Sequence, residues 1–96
     1  MTAPMVFQKK PKQVQAMRYD NTPESAEAIR GWVGCEGIVF QVREARPAVG
    51  FVCELIAVDG IPTEVAPGWW VVRHEESAFE AYNPRVFQAW YERVIA

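Results

Sequence analysis

Val65-Ala66-Pro67-Gly68-Trp69-Trp70-Val71-Val72-Arg73-His74 joins a turn signal to a short apolar strand. Proline presets one central position of a tight turn and glycine relieves the other, so the turn delivers the chain into a strand over 69–74. Side chains alternate along a strand, and the adjacent tryptophans therefore point to opposite faces. On this reading one of them lies away from the core. An uncovered indole on a small protein marks a surface that a partner or ligand covers.

The flanks supply the neighbours such a strand needs. Glu75-Glu76-Ser77 forms a polar turn into a strand over 78–82, and Asn83-Pro84 is a cap followed by proline. That pair predicts a short helical turn near 84–87, after which 89–95 closes the sheet. Upstream, Asp59-Gly60 is a strong hairpin signal between strands over 51–58 and 61–65, with Pro62 suited to an edge. In 37–43 Ile38, Phe40 and Val42 alternate with Val39, Gln41 and Arg43, predicting a strand, and 44–50 with Pro47 reads as a loop.

The first 22 residues hold a strand and a helix start. Pro11 marks the start of a strand over 12–19, with Val14 and Ala16 on one face and Gln13 and Gln15 on the other. Asp20-Asn21-Thr22-Pro23-Glu24 then offers a capping side chain at Asn21 or Thr22, proline in the first turn and an early acid for the helix dipole. The helix runs over about 23–33, with Ala26, Ile29, Trp32 and Val33 on one face, Glu24, Glu27 and Arg30 toward water, and Gly34 as its stop.

These elements predict an α+β fold: residues 1–8 as a loose tail and 9–96 as one domain, a small antiparallel sheet with the main helix on one face. Val39, Val52, Ile56 and Val71 are assigned to the other face. They are too apolar to leave it wet, so the sheet is expected to be strongly curved, a half-barrel, or covered by a second copy.

Composition narrows the function classes. The chain has 96 residues, half of them apolar and 12% aromatic, with a formal charge of -2. This is the composition of one globular domain, and near-neutral charge argues against an obligatory polyanion partner. Lys9, Lys10 and Lys12 form the one basic cluster and read as a solvated strand end. Cys35 and Cys53 lack metal or redox spacing and read as reduced, partly buried small hydrophobes. No stretch approaches the roughly 18 consecutive apolar residues of a membrane span, and no secretory leader is visible, so a cytoplasmic protein is expected.

No catalytic constellation is legible. His74, the sole histidine, lacks a nucleophile, an oxyanion site or metal-ligand spacing beside it, so neither a metal nor a cofactor is expected. Gly31-Trp32-Val33-Gly34 falls at a helix end, where the dipole opposes an anion. The aromatics are more informative. Trp69, Trp70, Phe79, Tyr82, Phe87, Trp90 and Tyr91 crowd the last third beside three arginines, Arg73, Arg85 and Arg93. Most should pack a core, and the rest suit protein recognition, which favours Trp, Tyr and Arg. Binding candidates are therefore Trp69, Arg73, His74, Tyr82 and Arg85.

Lys9-Lys10-Pro11 with Val14-Gln15-Ala16-Met17-Arg18-Tyr19, Trp70-Val71-Val72-Arg73, Phe79, Asn83-Pro84-Arg85-Val86-Phe87 and Tyr91-Glu92 resemble a family of short bacteriophage and prophage proteins. Its members read K-K-P-V-x-V-E-A near the start, then P-G-D-W-I-I-K-G, F-Y-P-C-K-P-D-I-F and a late Tyr-Glu. The spacing from Pro67 to Phe87 matches without a gap, while the middle of the chain is unmatched. The resemblance implies a phage origin and a host-cytoplasmic setting, but no reaction. Trp69, His74 and Arg85 stand where the family has Asp, Gly and Asp, which puts Trp70 in the core and Trp69 outside it. The leading expectation is a non-enzymatic phage accessory protein that binds a host protein or itself. Small-molecule or nucleotide sequestration and single-stranded nucleic acid binding are the alternatives.

Overall fold

The computed structural model describes residues 3–9, 12–57, 60–75 and 78–93. In chain order these form β1 (Met5–Lys9), β2 (Lys12–Arg18), α1 (Pro23–Gly34), β3 (Val39–Arg46), β4 (Gly50–Ile56), β5 (Pro62–Val65), β6 (Trp70–Glu75), β7 (Ala78–Tyr82), α2 (Pro84–Trp90) and β8 (Glu92–Arg93). The fold is α+β, as expected. The strands, however, do not make one curled sheet. They divide between a five-stranded antiparallel sheet, β7-β6-β2-β1-β8, and a three-stranded one, β3-β4-β5.

Alternation along β6 explains why two layers of packing are needed. Val71 enters one cluster with Met17, Tyr19, Ile29, Val33, Phe40, Cys53, Leu55, Val65 and Phe79, formed between the five-stranded sheet, α1 and the three-stranded sheet. Val72 enters the other, with Phe7, Val14, Ala16, Phe87 and Tyr91, where α2 packs. Both faces of β6 are thus buried at Val71 and Val72. Each fully buried Val, Leu, Ile or Phe contributes about 1.5–3 kcal/mol, which is what holds the two layers on this sheet.

The tryptophan pair follows the same alternation. Trp69 packs against the first cluster and Trp70 against the second, so neither lies away from a core. The expectation of an exposed Trp69 is corrected, because the reading assumed a single core. Pro67 and Gly68 occupy the turn as expected, closed by the Trp69 N–H on the Ala66 carbonyl at 3.0 Å, with Gly68 at φ 92°. The face assigned to Val39, Val52, Ile56 and Val71 is also not a single surface. Val52 and Val71 are fully buried, Ile56 is half-buried and Val39 is exposed, since three of them belong to one sheet and Val71 to the other.

Several boundaries move. Residues 5–8, expected in the tail, form a strand with Lys9, and Phe7 packs edge-on against the Trp70 and Phe87 rings with centroids 5.0 and 4.8 Å away. Helix α1 is capped by Thr22, whose Oγ1 accepts from the Ser25 N–H at 3.2 Å. The helix ends at Gly34 itself, one residue past the expected bound, but Gly34 is not the left-handed residue of its stop. Gly37, at φ 76°, takes the left-handed position, with the Ile38 N–H on the Val33 carbonyl at 3.2 Å and its own N–H on Gly34 at 3.1 Å. Strand β3 continues through Glu44–Arg46, shrinking the expected loop to a tight hairpin. Pro62 does sit on an edge strand, and Gly60 (φ 80°) closes a turn onto the Ala57 carbonyl.

Helix α2 extends beyond one turn to Trp90, so Ala89 and Trp90 are helical where a strand was expected, and among the described residues Glu92–Arg93 pair with β1. Asn83 caps it, accepting from the Val86 N–H at 2.9 Å. Cys53 is buried and free as expected, while Cys35 is exposed. Lys10, Pro11, Asp59, Glu76, Ser77 and Ile95, used in the sequence reading, lie outside the described residues.

Candidate functional site

Alternation separates the binding candidates read from sequence. Trp69 and Arg73 belong to the face toward α1, where the Arg73 Nη2 donates to Glu36 Oε1 at 2.9 Å and the guanidinium stands 6.0 Å from the Phe79 ring centre. Trp70 and His74 belong to the opposite face. There His74 Nε2 is 3.0 Å from the Tyr82 hydroxyl, which donates to Glu80 at 3.1 Å. Burial, then the Glu80 charge, pushes the Tyr82 phenol well above its usual range. Arg85 is exposed on α2. The five residues therefore form no single site. Arg73 is tied to Glu36, while Tyr82 joins the aromatic packing around Phe87 and Tyr91.

A different place is open. A cleft of about 350 Å³ lies between the N-terminal end of α1 and the β3–β4 hairpin, lined by Tyr19, Asn21, Thr22, Pro23, Ala26, Glu27, Val42 and Phe51. Its origin is local. Val42 pairs with Cys53 and Ala45 with Phe51, so these residues share the face that Phe40 and Leu55 turn toward α1. The helix covers Phe40, Cys53 and Leu55 but not the hairpin's far end, which leaves Val42 56% and Phe51 54% exposed.

Three contacts hold the cleft's shape. The Tyr19 hydroxyl donates to the Phe51 carbonyl at 2.7 Å, and the Phe51 N–H donates to Asn21 Oδ1 at 2.9 Å. Gly50, at φ 116°, completes the fit: a Cβ there would stand 2.5 Å from the Asn21 amide. Asn21 itself has φ 66°, a left-handed conformation that asparagine tolerates better than most residues. Burial keeps the Tyr19 phenol un-ionised far above its ordinary range, so it acts as a fixed donor. Tyr19 and Asn21 are thus engaged in building the cleft, Glu27 on its lining pairs with Arg30, and most of the remaining surface is apolar.

None of these lining residues was singled out from sequence. Val42 and Phe51 look like ordinary alternating strand residues, and Asn21-Thr22-Pro23 looks like a helix start alone. Among the described residues, no three His, Cys, Asp or Glu side chains come together as a metal site, and no helix is long and apolar enough to cross a membrane. Comparison with known protein families, curated proteins and solved structures finds no match.

Proposed function

We propose that this is a non-enzymatic accessory protein that acts by binding another protein, with the cleft between α1 and the β3–β4 hairpin as the docking surface. The observation that carries this reading is the concentration of uncovered apolar surface. Of the eight exposed large hydrophobics among the described residues, Val42 and Phe51 line the cleft and Val49 lies in the adjoining turn, while Val39 is on the opposite face of β3. Scattered exposed hydrophobics are ordinary, but a cluster bordering a concave apolar surface is the usual form of a recognition site. The resemblance to short phage proteins supports a bacterial host as the setting.

The cleft is large enough for a small ligand, yet such sites need free polar groups to orient it. Here the Tyr19 hydroxyl and Asn21 amide are bonded to Phe51. An apolar protein segment suits the cleft better. Arg73 and Arg85, the cations a nucleotide would use, are not among its lining residues. Of the aromatics a single strand would stack on, Phe79, Phe87 and Tyr91 are buried and Trp69, Trp70 and Tyr82 half-buried, which leaves Trp90 exposed on α2.

The test is affinity capture from bacterial lysate with the tagged protein, compared with Val42→Asp in the cleft and Val86→Asp on α2. Loss of the captured partner by about tenfold or more with the first variant alone is the expected result. Equal recovery with both variants, each shown folded by circular dichroism, removes the cleft from the account.

A further inference from the structure

The exposed edge of β3 borders the same cleft, and its residues specify a partner. In the three-stranded sheet β3 is terminal, paired with β4 on one side and with no described strand on the other. It is eight residues long, with an irregularity between Val42 and Glu44 that makes Arg43 a bulge. Long edges are normally protected by bulges and charges, because both frustrate pairing with a straight strand. Against a copy of itself the same devices match.

We propose that two copies of this chain pair antiparallel through β3, about a two-fold axis between Arg43 and Glu44. In that register Arg43 lies opposite the partner's Glu44 and Glu44 opposite the partner's Arg43. Val42 lies opposite the partner's Ala45, and Gln41 opposite the partner's Arg46. Opposite residues in an antiparallel pair share a face, and the bulge makes this register obey that rule. Val42 and Ala45 both lie on the cleft side, paired on β4 with Cys53 and Phe51. Gln41, Glu44 and Arg46 lie on the other side, opposite Glu54, Val52 and Gly50. Arg43 joins them, 3.7 Å from both Glu44 and Glu64. In an unbulged strand residues 42 and 45 would face opposite ways, and the register would fail.

The pairing also extends the sheet from three strands to six and joins the two clefts along a common edge beside Val42. The two crossed Arg–Glu pairs supply the charge complementarity that selects a second copy over an unrelated strand. The inference rests on the reading of the cleft as part of a protein-docking surface and names a second copy, paired along the adjoining β3 edge, as the partner.

Sedimentation equilibrium of the full chain, with charge variants, tests it. Arg43→Glu places acid opposite acid twice, and Glu44→Arg places base opposite base twice. Arg46, 2.8 Å from both Glu44 and Glu64, keeps at least one of these intramolecular bonds in either variant. Each variant alone should dimerise about tenfold or more weakly than wild type, while an equimolar mixture of the two should form a heterodimer. The double variant R43E/E44R should regain the wild-type mass. A wild-type dimer that Arg43→Glu leaves intact overturns the proposal, as does a variant mixture that stays monomeric. A wild-type monomer that captures a lysate protein through Val42 overturns the self-pairing and leaves the docking cleft standing. A monomer that captures nothing overturns both.

Discussion

Gly50 and Asn21 show how a single pair of positions shapes the candidate site. Gly50 adopts φ 116° and leaves no room for a Cβ beside the Asn21 amide. Gly50→Ala should therefore destabilise the protein by about 1–3 kcal/mol in urea unfolding. In an Asn21→Gly background the added cost should be smaller, because the steric part is relieved while the backbone strain remains. An unchanged cost would mean that the contact is irrelevant. Asp20 offers a second residue-scale test. Hydrogen bonds from Thr22 and Ser25 hold its carboxyl below the ordinary value of 3.8. A depressed folded-state value stabilises the protein above that pH, and the contribution is lost as pH falls through the lower, folded-state value. Wild type should exceed Asp20→Asn in stability at pH 6, and the gap should close as acid unfolding is followed below 3.8. A gap that is the same at both ends of the titration would refute the linkage.

At the scale of elements, α2 is the piece whose role the chain's local signals understate. Its cap and proline announce a helix start, but its length follows from packing. Phe87 stacks on Trp70 with centroids 4.3 Å apart and planes at 8°, and on Tyr91 at 5.2 Å. Those contacts cover the second face of the five-stranded sheet, where curling or a second copy was expected to do so. Phe87→Ala should cost about 3–5 kcal/mol, and Asn83→Ala about 1 kcal/mol through loss of the cap, both read from chemical denaturation. Near-equal effects would mean that α2 lies loosely on the sheet. Helix α1 was legible almost in full, because proline, cap and three-to-four spacing agree over 23–33. Its end near Gly34 was legible too, but the left-handed Gly37 was not, because that turn depends on where Ile38 enters the core.

At the scale of the molecule, two sheets and two helices enclose two clusters, and Val42 and Phe51 are left exposed at the β3–β4 hairpin end. Val42→Asp should leave the unfolding midpoint nearly unchanged, since surface substitutions usually fall within about 0.5 kcal/mol. Trp69→Ala should lower stability by about 2 kcal/mol or more, because the ring packs on the core. The reverse ranking would show that the tryptophan, and not the hairpin end, is the free surface. The α+β class, the approximate positions of the elements from β2 to β7, the 67–68 turn and the helix cap were determined by the sequence alone. They depend on periodicity and on the conformations that proline, glycine and capping side chains allow locally. Only the tertiary structure decided that the strands divide between two sheets, that both tryptophans are covered, and that Val42 and Phe51 are not. Alternation says which residues share a face, but whether that face is buried depends on segments distant in the chain, here α1 covering one end of the hairpin and α2 closing the opposite side of the central sheet.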